Sequence, residues 1–236
     1  MSTPPTAASA TQPTSSNRPP VTLGQATHLD PGAYVRSTHA ITLGDHILVH
    51  PRAQLVAIHG PLSISDKCII SEKCVIGGPA PNPSTAADPG AKLSAQGGGD
   101  DEGDEANDER DPVKTTIHAN VYIHPSSHIN AGATIKNAVV IESHVTVLPG
   151  VTIGAHAKIC AGVTVDRDVE DWTVQYGNGE MKRKRRKMAT IANEEDRDAD
   201  AELVETMRLK AMDKEREGTV AIFKMAARMA SMAKKK

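Results

Sequence analysis

From Thr116 to Asp168 the chain repeats with a period of six. An aliphatic residue stands at Ile117, Ile123, Ile129, Ile135, Ile141, Val147, Ile153, Ile159 and Val165 without a miss. If Ile, Leu and Val fill roughly a fifth of positions, nine hits in one frame arise by chance about once in a million. Four residues after each comes a small or β-branched residue: Val121, Ser127, Ala133, Val139, Val145, Val151, Ala157, Val163 and Val169. Six fits neither the strand period of two nor the helical 3.6. It does fit a short strand followed by a corner, when three such pieces close a triangular coil and successive coils stack as a parallel β-helix. The pattern predicts a large aliphatic pointing inward from each flat side and a small residue turning in where space is tight.

The same beat is present earlier in the chain. It begins at Leu23, Leu29 and Val35, slips by two residues to Leu43, Val49 and Leu55, and resumes after a three-residue insertion at Ile64, Ile70 and Ile76. Eighteen hexads at three per turn predict about six coils over residues 21–179. Residues 1–20 are Pro, Ser, Thr and Ala without periodicity and are expected to form a disordered tail, since they cannot bury enough apolar surface to offset the entropy of ordering. The beat also stops over residues 77–114, which pass through Gly97-Gly98-Gly99 into an acidic run from Asp100 to Asp111. A disordered acidic loop thrown out of one corner is expected there, either a solvated insertion or a tether for a basic partner.

After Val169 the repeat runs down. Trp172, Val174 and Tyr176 alternate as a last strand would, and Gly177 and Gly179 release the chain. The only Trp lies where an end coil needs something large to cover its core. Residues 180–197, with a basic cluster from Lys182 to Lys187, are expected to be a charged linker. Residues 198–234 then change to helical spacing, with Leu203, Met207 and Ala211 in one seam and Ile222, Met225, Met229 and Met232 in another, weakened between them by Gly218. Such a stripe is expected to pack along a flat side of the prism, or else in a partner's groove.

Composition sharpens this picture in two ways. Aromatic residues make up only 2%, which argues against an ordinary globular core but suits a narrow prism filled with Ile, Val and Ala. A net charge of −2 points neither to nucleic acid nor to a membrane surface. The three Cys form no zinc-type pair, and no signal peptide or long apolar run is visible, so a reducing cytoplasmic setting is expected. Cys68 and Cys74 fall at the small inward position and read as core filler.

Hexapeptide β-helices most often suggest acyltransferases that use acetyl-coenzyme A, and less often zinc enzymes like the γ-class carbonic anhydrases. Ten His are available, but no two are five apart as the zinc pattern wants. His118 and His124 fill one slot of consecutive hexads, which puts them on different sides of the prism. By placement, His59 in the insertion and His118 after the long loop are the candidates for a general base. Neither has an acidic residue at an obvious orienting distance. No catalytic, cofactor-binding or metal-ligating residue is therefore assigned, and no cofactor is expected.

Several short segments carry a family resemblance. Val49-His50-Pro51-Arg52-Ala53, Gly60-Pro61-Leu62-Ser63-Ile64 and Ile69-Ile70-Ser71-Glu72, then Val140-Ile141-Glu142-Ser143 and Thr173-Val174-Gln175-Tyr176-Gly177, resemble the dynactin subunit 6 family, β-helix subunits at the pointed end of dynactin. The resemblance implies a left-handed all-β solenoid with a C-terminal helix. It also implies a non-catalytic scaffold subunit in the cytoplasm and cytoskeleton, supporting dynein-driven microtubule transport and cargo attachment. Its expected partners are the sister β-helix subunit 5 and other pointed-end proteins including an actin-related protein, with dynein indirect. No nucleic acid or membrane insertion is expected. Trp172, Tyr176, Ile222, Met225 and Met229 are the candidate interface residues. The alternative is a homotrimeric hexapeptide acyltransferase or a zinc enzyme of the γ-carbonic-anhydrase kind.

Overall fold

The protein is described from a computed structural model, which covers residues 21–79, 112–177, 181–184 and 194–233. The expected N-terminal tail, the acidic run and half of the basic cluster, residues 185–187, lie outside these residues.

Each hexad forms one short strand. The first coil comprises β1 (Val21–Leu23), β2 (His28–Leu29) and β3 (Tyr34–Ser37), and the second β4 (Ile41–Leu43), β5 (Leu48–Val49) and β6 (Gln54–Ala57). The third has β7 (Leu62–Ile64), β8 (Ile69–Ile70) and β9 (Val75–Gly78), and the fourth β10 (Thr115–Ile117), β11 (Tyr122–Ile123) and β12 (His128–Asn130). The fifth has β13 (Thr134–Ile135), β14 (Val140–Ile141) and β15 (Thr146–Val147), and the sixth β16 (Thr152–Ile153), β17 (Lys158–Ile159) and β18 (Thr164–Val165). Then come β19 (Thr173–Tyr176), β20 (Met181–Lys184) and one helix, α1 (Glu194–Ala233).

Every third strand pairs in parallel. Sheet A runs β1-β4-β7-β10-β13-β16, sheet B begins β2-β5-β8-β11-β14-β17, and sheet C is β3-β6-β9-β12-β15-β18. The chain is thus a left-handed parallel β-helix of six coils, opposite in hand to the usual parallel crossover. Register is like on like: Ile64, Ile117, Ile135 and Ile153 stack in one inward column of sheet A. All nine inward aliphatics from Ile117 to Val165 are fully buried, as are Ser127, Ala133, Val139 and Val145 at the corner positions. Cys68 and Cys74 are in the core as expected.

Corners are made by residues in the left-handed region. From the fourth coil on they recur every six residues, at Asn120, Ser126, Gly132, Ala138, His144, Gly150, His156 and Gly162, all with φ between 58° and 80°. Gly77 shows why one corner admits no side chain: a Cβ there would come within 2.0 Å of the Val56 carbonyl oxygen.

β19 adds to sheet B beside β17, and β20 folds back on it antiparallel. β20 falls in the stretch expected as a linker, and α1 starts at Glu194, a little before the expected boundary. The helix packs along sheet B, but with a different face from the one its apolar spacing suggested. Glu205, Met212 and Arg216 are buried, and Leu209, Val220 and Phe223 pack with Met212 on Leu48, Ile69 and Tyr122. Leu203, Met207, Ile222, Met225, Met229 and Met232 are instead 58–69% exposed, which corrects the expectation that these seams pack on the prism. The physical reason is that the helix seats on the outside of the prism, where Glu205, Glu215 and Arg208 bond His156, Tyr122 and the Ala138 carbonyl. Among the described residues no helix is long and apolar enough to cross a membrane.

Candidate functional site

Because Leu29, Val49, Ile70, Ile123, Ile141 and Ile159 point inward, the residues on either side of them point outward. Sheet B therefore carries two outward columns. The first, His28, Leu48, Ile69, Tyr122, Val140 and Lys158, lies under and beside α1. The second is Asp30, His50, Ser71, His124, Glu142 and Cys160, joined strand to strand by backbone bonds such as His124 N–H to the Ile141 carbonyl. The columns bring His124, Glu142, Tyr122, Ser71 and Lys158 together although 87 residues separate the first from the last in the chain.

His124 is the centre of this cluster. It is half-buried, and its ring stacks on Tyr122 with centroids 4.1 Å apart and planes 17° apart. Burial lowers its pKa below the ordinary histidine value, against the opposing pull of Glu142 and Glu215. The imidazole is therefore neutral near pH 7. One strand away, Glu142 is held as a carboxylate by Lys158 at 2.6 Å and by the Ala161 N–H at 3.0 Å, and its pKa is lowered chiefly by the bond to Lys158. The Tyr122 hydroxyl donates to Glu215 of α1 at 2.5 Å, and burial with that bond raises its pKa. His50, in the same column, is also lowered by burial and meets the edge of Phe223 at 5.4 Å. A neutral imidazole beside a fixed carboxylate can accept a proton and be stabilised while charged.

The residues singled out from the sequence lie elsewhere. His59 is exposed at the bend after β6, where its carbonyl accepts the Val113 N–H at 2.9 Å. His118 directly follows β10 of sheet A, and its carbonyl receives the Cys68 thiol at 3.0 Å. Among the described residues neither ring is bonded to a carboxylate. Trp172 stacks on His156 at 4.3 Å, Tyr176 ends β19 at 37% exposure, and Ile222, Met225 and Met229 stand on the outer face of α1. Spacing alone does not single out His124 as a base, because its column repeats only once per coil and insertions stretch that interval to 53 residues between Ser71 and His124.

A second polar set anchors the helix. His156 Nδ1 lies 3.0 Å from Glu205 Oε1, and Arg208 bonds both Glu205 and the Ala138 carbonyl, the latter at 2.9 Å. Among the described residues no three His, Cys, Asp or Glu side chains gather as a metal site requires.

Residues 132–167 match the family model described as bacterial transferase hexapeptide, six repeats. Among solved structures, a hexapeptide transferase family protein from Anaplasma phagocytophilum is 12% identical, with 85% of this chain and 92% of that one covered and a TM-score of 0.49. A perosamine N-acetyltransferase mutant from Caulobacter crescentus, in complex with CoA and GDP-perosamine, is 19% identical over 69% of this chain and 57% of that one, with a TM-score of 0.39. A hexapeptide-repeat acetyltransferase from Vibrio cholerae, complexed with acetyl coenzyme A, is 18% identical over 64% and 68%, with a TM-score of 0.38. No curated protein matches the chain.

These findings correct the functional expectation. The model that residues 132–167 match is described as one of transferase repeats. The reading of the chain as a non-catalytic dynactin subunit, and hence as no enzyme, does not stand, nor do the microtubule and dynein roles drawn from it. Short segments such as Val49–Ala53 were a weak basis, because the β-helix itself demands an aliphatic, a corner and a small residue at those spacings.

Proposed function

We propose that the chain is an acyltransferase that moves an acyl group from a coenzyme A thioester to an amine or hydroxyl acceptor, with His124 as general base. The observation that carries this reading is the neutral, half-buried His124 stacked on Tyr122 one strand from the Lys158-held Glu142. The match of residues 132–167, which include Glu142 and Lys158, to transferase repeats supports it.

In this mechanism the acceptor's N–H or O–H lies against the His124 ring and gives up its proton as the heteroatom attacks the thioester carbonyl. The new C–N or C–O bond forms, the C–S bond breaks, and the imidazolium returns the proton to the departing thiolate. Glu142 stabilises the imidazolium through space. Tyr122, committed to Glu215, fixes the plane of the ring.

The test is thiol release from acetyl-coenzyme A in the presence of a panel of amines and alcohols, with coenzyme A binding followed by calorimetry. His124→Asn is expected to lower turnover by about 10²–10⁴-fold with coenzyme A binding unchanged. The acid limb of the rate profile is expected below the ordinary histidine value of about 6.5. A protein that neither binds coenzyme A nor releases thiol with any acceptor between pH 6 and 9 would end this reading.

A further inference from the structure

The two ends of the prism are finished differently. At the C-terminal end β19 and β20 extend sheet B, with Thr173 and Gln175 buried and Trp172 stacked over His156. At the N-terminal end β1, β2 and β3 are the outermost strands of all three sheets at once. The inward residues Leu23 and Val35 are 50% and 37% exposed there, whereas Leu43 and Leu55, which stack on them, are at most 1% exposed. Val21 and Tyr34 beside them are 42% and 60% exposed.

The helix overshoots this same end. Phe223 stacks on His28 of the first coil at 5.5 Å, having come from Glu205 beside His156 of the sixth. Residues 224–233 therefore continue past the open coil by about 15 Å. Met225, Met229 and Met232 line one side of that overhang, 59–69% exposed.

We propose that this end is the docking surface for a second copy of the chain, joined head to head about a two-fold axis. Three strand edges set around a triangle leave backbone N–H and C=O groups unpaired in a geometry that the matching end of another β-helix reproduces. Head-to-tail growth is hindered at the far end along sheet B, where β20 runs antiparallel to β19 and so breaks the parallel order. The overhang of each copy then lies along the first coils of the other. It takes sheet A or sheet C there, since the partner's sheet B already carries a helix. The exposed apolar side chains of the end coil and overhang present on the order of 700 Å², close to the roughly 800 Å² per partner of a standard interface.

Sedimentation velocity on the full chain at tens of micromolar tests this. The expected result is a two-copy species, or an even multiple, that halves in mass in the double variant Val35→Lys, Met229→Lys, with the circular dichroism unchanged. Leu23→Glu is expected to do the same independently, and all three sites are exposed enough to tolerate the charge. A monomeric wild type, or an assembly that both variants leave intact, overturns the proposal. So does a full chain that dimerises only after residues 2–20 are deleted, which would make the preceding segment the occupant of this end.

Discussion

At the residue scale, the corners cost more than the flat sides. Ala138, His144 and His156 sit at φ near +60°, a region that disfavours side chains with a Cβ by about 1–2 kcal/mol each. The stacked core on either side holds them there. His144 is exposed and makes its corner bond through the backbone, to the Pro125 carbonyl. His144→Gly is thus expected to raise stability by about 0.5–1 kcal/mol after Gly's own entropy is counted, measured by urea unfolding. The half-buried His50 and His124 give a pH signature. Their folded pKa values lie below the unfolded value of about 6.5, so the unfolded chain binds more protons in the window between the two. Stability is expected to fall as pH drops through that window and to recover part of this loss in His124→Gln; unfolding midpoints from pH 8 to pH 5 check it. The inward aliphatics were legible because their period is strict. The His124 column was not, because its members are spread over the chain and only stacking makes them neighbours.

At the scale of elements, α1 shows where reading by hydrophobic spacing misleads. A helix is ordinarily read by its most apolar stripe, yet this one docks through Glu205, Arg208, Met212, Arg216 and Phe223 and turns Met207, Met225 and Met229 outward. The sheet it meets has already buried its apolar face in the prism, so its outer face offers bonds as much as grease. Met212 is the apolar peg of that contact, 3% exposed between Leu48 and Ile69. Met212→Ala is expected to cost about 2–4 kcal/mol and to loosen the helix before the prism, seen as early amide exchange in α1. Gly218 is the reverse case, because a Cβ there would meet nothing within 4 Å. Gly218→Ala is expected to stabilise the docked helix by about 1 kcal/mol, read from the same exchange experiment. The weak middle noted in the sequence is thus a matter of propensity alone.

For the whole molecule, order follows from nearest neighbours. Apart from α1, which runs past several of them, each coil touches only the coils above and below, so the prism's stability adds along the axis. From Thr115 to Val165 a coil is eighteen residues long, and Thr134 and Thr152 occupy equivalent places in sheet A. Deleting residues 134–151 is expected to leave a shorter β-helix that still melts cooperatively, whereas deleting only six residues turns every later hexad onto the wrong side and abolishes folding; far-ultraviolet dichroism and thermal scans separate the two. Coil number, order and core were all legible in the hexads. How the two ends differ was only half legible: the loss of the beat after Val169 marked the last coil, but nothing in the repeat announced the open first one.

The helix laid along sheet B has a further consequence. Coils recur about every 4.8 Å and helical turns every 5.4 Å, so the two ladders drift against each other like the scales of a vernier. His156 with Glu205, Tyr122 with Glu215 and His28 with Phe223 come level together in a single setting. Slide the helix by one turn and all three rungs part at once. A lineage that inserted a coil would have to lengthen the helix by about three residues to restore the match, so the helix serves as a gauge of how many coils the prism contains.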